Sequence, residues 1–483
     1  MKMLEKVAEK IFRFLCSLKL AVIVIVSLGT IAAIGTVMES KYDMITAQKL
    51  VYHSPYMYFV MILLCVNLIA VAVDRLPWKK RHTGFVIVHA GIVILIVGSY
   101  VTRKVGVDGT LSFDIGETSR NVQTNETDLI VYKLKDLESS EKIFSQDVDF
   151  LVNNPKKKPV KILFGAGESD QIEVIDYMPY AKRDFTIQES NLMTDGPALR
   201  FQLQNPFVNM IEWIVQSGSQ PAKLDLGPAQ VVLARENYES LGGKNEIVLY
   251  PTQNKNTLRY QIFDKDSKDG KPIKSGMVPV GGVIEPGWMG LTVRAIQFYP
   301  KGKVEYKYTK LDYPNATSTA AAQIKFNGQA YWLGMNTALQ LFSKDTVYFV
   351  TYGNKRLDIG FNMTLDRFEM EKYEGTQMAK TYKSVVNIPN VGQKEISMNE
   401  PLKHNGYTFY QSSFQENKMG EPTASILSVN YDPGRWIKYF GSLCIVLGSI
   451  MLFYFKKFGT KQSSQEKFMK MDQQSFIEGE VEK

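Results

Sequence analysis

The sequence predicts a membrane protein with four transmembrane α-helices and a large all-β, sandwich-like extracytoplasmic domain inserted between helices 3 and 4. Four apolar stretches are long enough to cross a bilayer, for which an α-helix needs about 20 residues. A long polar block separates the third stretch from the fourth, and within it apolar alternation recurs between turn signals. The mean hydropathy of the whole chain, -0.14, conceals this division.

The positions of lysine and arginine predict the orientation of the helices. These residues are concentrated before the first apolar stretch, between the second and third, and after the fourth, and all three places fall on one side if every stretch spans. Basic loops mark the cytoplasmic side of a membrane. Arg103 and Lys104 point in the opposite direction. They flank a large translocated domain, however, and the distribution of basic residues predicts orientation only weakly there. The segments that follow from this reading are a cytoplasmic N-terminus at 1–19, transmembrane helices at 20–38, 57–73, 84–101 and 436–455, an extracytoplasmic domain at 102–434, and a cytoplasmic, disordered tail at 456–483.

Composition excludes several classes of protein. The net charge of +8 comes mostly from the basic flanks of the apolar stretches, so it does not indicate a nucleic-acid partner. Cys16, Cys65 and Cys444 all lie in or beside apolar stretches, which leaves the polar block without a disulfide or a thiolate metal site. The chain has no C-x-x-C-H haem-attachment motif, no P-loop and no hydrolase nucleophile motif. An enzyme that acts alone is therefore not expected. The first apolar stretch is too long for a signal peptide and is expected to be a retained helix.

Hairpin signals in the polar block predict strands. Asn327-Gly328, Gly353-Asn354 and Asn405-Gly406 each separate or precede short β-rich runs, and such pairs adopt the positive φ that two-residue hairpin turns require. Further strands are expected at 170–177, 291–299 and 304–308. Helical periodicity is scarce, and 206–216 is the best candidate for a short helix. One sandwich or two are expected.

His89 is the leading candidate for a functional residue, because an imidazole inside an apolar span is costly and is a good ligand for iron. The alternative is a histidine that hydrogen-bonds a neighbouring helix. His82 lies two helical turns earlier, so both rings can share one face and suit a flat apolar cofactor with acidic edges. The preferred interpretation of His82 is nevertheless an interfacial side chain. His53 is expected to be a surface residue, and His404 a structural one.

Small and amide side chains in the apolar stretches predict contacts between helices. Asn67 lies in the middle of the second stretch, where a buried amide often bonds another helix. Gly29 and Gly35 give the first stretch a small-residue face for close packing, and Gly91 and Gly98 do the same for the third.

An ordered set of segments resembles the ResB (CcsB) family of cytochrome c biogenesis proteins. The resemblance runs from the first span almost to the last, and the order of the pieces makes it specific. The matching pieces are SLKLAVIVI at 17–25, Gly35-Thr36, Asn67, Asp74-Arg75-Leu76-Pro77, His89-Ala90-Gly91, DGTLSFDIGET at 108–118, LDRFEMEKYEGTQMAKTYKS at 365–384, SMNEPLKHNGYTFYQSSF at 397–414, and the final span.

This resemblance implies a function and partners. Family members work with a ResC (CcsA) protein to move haem across the bacterial inner membrane and attach it to apocytochrome c. The family's transmembrane haem ligand falls on His89, which would bind a transient haem b shared with the partner. The tryptophans of this chain are scattered, without the Trp-rich cluster of the partner, so the chain would be the B half alone. Two alternatives stay open: a membrane assembly scaffold that never binds haem, or a subunit of a transporter for another anionic substrate.

Overall fold

The structure is a computed structural model, and the residues that it describes form several ranges. They are 2–135, 139–164, 170–191, 195–216, 220–227, 229–236, 238–240, 242–266, 270–288, 290–343, 346–376, 378–416 and 422–454. The predicted tail at 456–483 lies outside the described residues.

The described helices occupy the two ends of the chain. They are α1 (Lys2–Leu15), α2 (Leu18–Lys41), α3 (Met44–Ala47), α4 (Pro55–Asp74), α5 (Thr83–Val105) and α6 (Arg435–Tyr454). A π-helical turn (Gln48–Tyr52) follows α3, and a 3-10 turn (Lys80–His82) precedes α5. In the described part of the chain, α2, α4, α5 with its 3-10 turn, and α6 are long and apolar enough to cross a membrane. Each predicted span falls within one of these four helices, apart from residue 455, which is not described.

Side-chain caps fix where two of the membrane helices begin. The Ser17 hydroxyl accepts a hydrogen bond from the Leu20 amide at 3.2 Å, which starts α2 immediately after α1 ends. The Ser54 hydroxyl accepts one from the Met57 amide at 3.3 Å, and Pro55 occupies the first turn of α4. Both caps satisfy amides that have no partner within their own helix.

Helices α5 and α6 pack through glycines spaced seven residues apart. A Cβ on Gly84 would lie 2.7 Å from the Gly448 carbonyl oxygen, and one on Gly91 would lie 2.8 Å from that of Gly441. The third glycine of α5, Gly98, faces the start of α6. Because glycine has no side chain, the two antiparallel backbones approach more closely than larger residues would allow.

The polar block between α5 and α6 consists of strands, as predicted. The described strands are β1 (Val107–Asp114), β2 (Thr118–Leu134), β3 (Ser140–Val148), β4 (Val160–Phe164), β5 (Asp170–Glu189), β6 (Ala198–Gln204), β7 (Asn209–Val215), β8 (Ala222–Asp225), β9 (Ala229–Leu233), β10 (Asn245–Pro251), β11 (Thr257–Phe263), β12 (Lys274–Pro279), β13 (Val283–Ile284), β14 (Thr292–Tyr299), β15 (Gly302–Lys310), β16 (Ser318–Phe326), β17 (Gln329–Gly334), β18 (Thr337–Phe342), β19 (Val347–Lys372), β20 (Ala379–Ile388), β21 (Gly392–Ser397), β22 (Leu402–His404), β23 (Tyr407–Glu416) and β24 (Pro422–Tyr431).

Four sheets are formed by these strands. The largest has ten strands in the order β21-β20-β19-β2-β1-β24-β23-β22, with β18 beside β19 and β3 beside β2. The others have the orders β12-β11-β10-β9-β8, β13-β14-β6-β7, and β15-β5-β16-β17 with β4 beside β5. The pairings are antiparallel except for β9 with β10, which is parallel.

The three largest apolar cores among the described residues hold the sheets together. The β8–β12 sheet packs on the sheet of β6, β7, β13 and β14, around buried residues such as Phe201 and Leu249. Part of the ten-stranded sheet packs on the β5–β16 sheet, around residues such as Ile172 and Val350. The rest of the ten-stranded sheet curls around its own core, which includes Phe409. The expected fold class is confirmed: three N-terminal apolar helices and one C-terminal helix flank a large, mainly antiparallel β region.

The prediction of a short helix at 206–216 is wrong. β7 occupies most of this segment and pairs with β6 from Asn209 opposite Gln204 to Val215 opposite Ala198. Met210 and Ile214, which both contact the first apolar core, are four residues apart, and that spacing fits one face of a helix and one face of a strand. Pairing with β6 decides between the two.

The Gly353-Asn354 hairpin is also wrong, because both residues lie inside β19. Gly353 pairs with Asp128 of β2, and Asn354 pairs with Thr127. The Asn354 amide donates a hydrogen bond to the Asn336 side-chain oxygen at 3.0 Å. Glycine is needed here for the close approach of Asn336, whose side-chain oxygen occupies the space of a Cβ. The other two hairpins are confirmed, with Asn327 and Asn405 at positive φ.

Candidate functional site

An apolar cleft of about 310 Å³ lies between α4 and α5 and contains His89. Apart from His89 its lining is apolar or aromatic. The other lining residues are Leu68, Ile69, Ala72, Val73, Trp78, Val86, Ala90, Val93 and Ile94. The cleft is open on one side, and its volume lies at the small end of the range of ligand sites, about 300–1,000 Å³. A second element could therefore cover a ligand held here.

The imidazole of His89 is oriented by its own helix. Its Nδ1–H donates a hydrogen bond to the Phe85 carbonyl oxygen at 2.9 Å, one turn earlier in α5. Because a carbonyl oxygen only accepts, the neutral ring keeps its lone pair on Nε2. The alternative expectation, a bond from His89 to a neighbouring helix, finds no partner among the described residues. Nε2 is thus the atom free to bind a ligand.

The aromatic ring of Phe85 contacts both His89 and Arg75. The centre of the Phe85 ring is 3.8 Å from the centre of the His89 ring and 3.6 Å from Cζ of Arg75. A guanidinium on an aromatic face is held by cation–π attraction. Nearby, Trp78 Nε1 donates a hydrogen bond to the Ala72 carbonyl oxygen at 2.8 Å, which folds the segment after α4 over one end of the cleft.

His82 is not among the residues that line the cleft. It precedes α5 and is half-buried, and Arg81 Nε donates a hydrogen bond to its Nε2 at 3.2 Å. The structure therefore does not bring His82 and His89 together around one space. The preferred interpretation of His82 as an interfacial side chain stays a prediction.

The remaining histidines lie in the β region and beside it. The His404 ring packs edge-on against Phe361 with ring centres 4.6 Å apart, which agrees with the expected structural role. His53 ends the π-helical turn and is half-buried rather than at the surface. Burial, and then the charges of Arg103 and Lys49, lower the pKa of His53 to about 4. Its ring is therefore neutral near pH 7.

A second cavity, of about 290 Å³, lies where the segment between α2 and α4 meets the β region. Its lining mixes charged and polar side chains with tyrosines and apolar residues. The Tyr180 hydroxyl donates a hydrogen bond to Asp43 Oδ2 at 2.8 Å and lies 2.6 Å from Thr46 Oγ1. Lys49 forms an ion pair with Asp149 at 3.1 Å. Burial, with Asp43 beside the hydroxyl, raises the pKa of Tyr180 to about 12, so the phenol stays protonated.

The described residues contain no group of three or more side chains that could hold a bare metal ion. A single imidazole suits a metal that arrives in a cofactor with its own ligands, because the protein then has to supply only the remaining coordination. The apolar lining would suit the mainly apolar face of a flat macrocycle. The chemistry of the cleft therefore fits haem.

Of the predicted contacts between spans, some are confirmed. Asn67 Nδ2 donates a hydrogen bond to the Leu15 carbonyl oxygen of α1 at 2.6 Å. Gly35 packs against Tyr52, whereas Gly29 has nothing within 4 Å of a Cβ position. Sequence reasoning missed Gly84 and the three glycines that meet α5 from α6 and from the residue just before it. Their spacing of seven residues, at 84, 91 and 98 and again at 434, 441 and 448, was a usable signal.

Comparisons with known proteins find similarity to a known family in one part of the chain. Residues 334–426, from the end of β17 into β24, match the ResB-like family. A segment of 113 residues is 31% identical to Protein NrfI of Wolinella succinogenes. That match covers 22% of this chain and 12% of the other protein. His89 lies outside the residues matched to the family.

Proposed function

Because this chain carries a ResB-like family domain, we propose that it is a membrane subunit of a cytochrome c maturation complex. It helps to move haem b across the membrane and to deliver it to apocytochrome c. A second membrane protein, of the ResC or CcsA type, covers the open side of the cleft between α4 and α5. The chain is not an enzyme on its own in this proposal, since thioether formation also needs the partner.

The observation that carries the proposal is the orientation and hydrogen bonding of the His89 ring. Its Nδ1–H is bonded to the Phe85 carbonyl oxygen at 2.9 Å, and Nε2 is left as a free ligand within an apolar cleft. We infer that Nε2 of His89 would be the atom of this chain that binds the haem iron, and that the partner would supply a further ligand. Positioning accounts for much of the rate of reactions that need several groups held close together, as thioether formation does.

The orientation of the chain belongs to the same proposal. Both termini and the segment between α4 and α5 lie in the cytoplasm, and residues 102–434 lie outside the bacterial inner membrane. The basic flanks of the spans support this arrangement. Reporter fusions after Gly270 and after Ser463 should give opposite readouts, and equal readouts would contradict it.

Haem content of the purified complex tests the role of His89. The chain is co-expressed with its ResC-like partner, and the Soret absorbance per complex is compared for the unaltered protein, His89→Ala and His82→Ala. Loss of groups that merely orient a metal ligand costs about 10–100-fold in affinity, so loss of the ligand itself should lower bound haem at least about tenfold. Cytochrome c maturation should fall with it, and added imidazole should restore part of the haem. His82→Ala serves as the matched control and should retain most of its haem.

The opposite result is equally informative. If the His89→Ala complex assembles with full haem content and full maturation, the ligand role is wrong. His89 would then be a packing residue in a scaffold that does not bind haem.

A further inference from the structure

Helix α1 separates apolar and polar residues into two halves. At about 100° per residue, eight apolar side chains fall on one half of the helix and the charged ones fall on the other. The apolar half consists of Met3, Leu4, Val7, Ala8, Ile11, Phe12, Phe14 and Leu15. The polar half includes Glu5, Lys6, Glu9, Lys10 and Arg13. A pattern this complete indicates a helix that lies at a boundary between an apolar and an aqueous phase.

The described part of the chain does not cover the apolar half. Leu4 is 79% exposed and Ile11 is 56% exposed, and Met3, Val7 and Phe14 are also more than half exposed. A soluble helix with this pattern would pack its apolar face on a core. Leaving so much apolar surface in water is unfavourable by about 25 cal/mol per Å², so something other than the described residues covers it.

The position of α1 identifies what covers it. Its last carbonyl, on Leu15, accepts the hydrogen bond from Asn67 of α4, and Ser17 then caps α2. Since α2 and α4 are membrane helices, the C-terminal end of α1 is fixed beside them, immediately before α2 begins. Lipid is therefore the surface nearest to an uncovered apolar face of α1.

Charge gives the chemistry of the lipid. The sequence of α1 carries four basic residues, Lys2, Lys6, Lys10 and Arg13, and two acidic ones, Glu5 and Glu9. Arg13 is paired with Glu9 at 2.8 Å, but both side chains are exposed, so this pair holds little energy. The excess of positive charge on the polar half favours anionic headgroups.

We propose that α1 lies flat in the interfacial region of the membrane and binds anionic phospholipid. Its apolar half is buried among the acyl chains next to the headgroups, and Lys6 and Lys10 meet the phosphates. Interfacial amphipathic helices combine these two interactions. The proposal is independent of haem binding by His89.

Site-directed spin labelling of the full chain in nanodiscs tests the placement. Cys16, Cys65 and Cys444 are first replaced by serine, and a nitroxide is then attached at Val7 or Ile11, or at the control positions Lys6 or Glu9. The nanodiscs contain equimolar phosphatidylcholine and phosphatidylglycerol. Labels at Val7 and Ile11 should collide several-fold more with oxygen, which concentrates in lipid, than with a water-soluble nickel chelate. Labels at Lys6 and Glu9 should show the reverse.

Two results would overturn the placement. Equal nickel accessibility at all four positions would mean that α1 stands in water. Shielding of Val7 and Ile11 from both oxygen and nickel would mean that protein, a second copy or a partner subunit, covers the face instead of lipid.

Headgroup charge is tested with the same labels. Immersion of Val7 should be greater in nanodiscs with phosphatidylglycerol than in phosphatidylcholine alone, and the variant Lys6→Gln with Lys10→Gln should lose that difference. Equal immersion of the unaltered chain in both lipids would contradict the binding of anionic lipid.

Discussion

The two faces of α5 show how one helix is used both for rigid packing and for binding. On one face Gly91 lies against the backbone of α6, where a Cβ would come within 2.9 Å of Ile445. On the other face, two residues earlier in the sequence, His89 lines a cleft of about 310 Å³. The contact on the glycine side uses almost no side-chain volume, whereas the histidine side leaves space.

This difference indicates that an open cleft beside α5 depends on a tight contact between α5 and α6 on the opposite face. Glycine in a helix costs roughly 0.8–1 kcal/mol relative to alanine, and α5 and α6 each carry such residues at the contact. The close backbone approach offsets that cost through dispersion and Cα–H contacts. Because the contact with α6 already fixes the position of α5, the His89 face of α5 does not have to pack against α4 along its whole length.

The largest effect is expected from breaking the glycine side. Leucine at Gly91 would overlap the Gly441 carbonyl and Ile445, so α5 and α6 must separate. Overpacking of this kind typically costs about 1–3 kcal/mol, and in a contact between backbones the upper end is expected. The yield of monodisperse protein and its thermal unfolding temperature in detergent would both fall for Gly91→Leu.

Gly29 of α2 supplies the matched control. A Cβ at Gly29 meets nothing within 4 Å, so Gly29→Leu should unfold at the same temperature as the unaltered chain or slightly above it. If both variants lose the same stability, the glycines of α5 are not special and the comparison fails.

An intermediate effect is expected from filling the histidine side. Val93 lies one turn beyond His89 and lines the cleft, so Val93→Trp should occupy space that haem would need under the proposed function. Bound haem in the complex should fall at least about tenfold, as for loss of a ligand, while the folded yield stays unchanged. The measurement is the Soret absorbance per complex.

Val97 provides the control for this substitution on the same helix. It is 49% exposed and lies outside the cleft lining, so Val97→Trp should keep its haem. Equal haem loss in both variants would mean that bulk on α5, rather than the cleft, controls binding.

These comparisons also show what the sequence alone could predict. The spans and His89 follow from composition, because a helix in lipid must satisfy its own backbone and an intramembrane imidazole is conspicuous. Asn67 was identified as a contact for the same reason. The cleft was not predictable, because it depends on which face of α4 meets α5, and neither helix has a polar stripe that specifies it.

In the β region, short sequence patterns predicted the structure correctly where local backbone preferences determine it. They failed where pairing with a distant strand determines it. Asn405-Gly406 adopts its turn because positive φ is intrinsic to such residues. Gly353 carries the same local signal but lies inside β19. Its contact with Asn336 and the pairing of β19 with β2 outweigh the preference for a turn. The strand β7 was missed for a similar reason, because only its partner β6 distinguishes the two periodicities.

The smallest effect concerns the C-terminal end of α5, where the charge of Arg103 acts on His53. Burial, followed by the charges of Arg103 from α5 and Lys49 from the π-helical turn, lowers the pKa of His53 to about 4, whereas an unfolded histidine titrates near 6.5. Between these values only the unfolded chain binds the proton. Stability from this group is therefore complete above about pH 6.5 and is lost as the pH falls towards 4.

Thermal unfolding of the full chain in detergent should show this dependence. Between about pH 7 and about pH 5, the unfolding temperature of the unaltered chain should fall more than that of His53→Gln, which has no proton to take up. The difference should be a few degrees at most, because the ring is only half-buried. Arg103→Gln should give an intermediate fall, since burial would still oppose protonation after this charge is removed. If His53→Gln and the unaltered chain lose the same number of degrees, the ring of His53 is not held neutral in the folded chain.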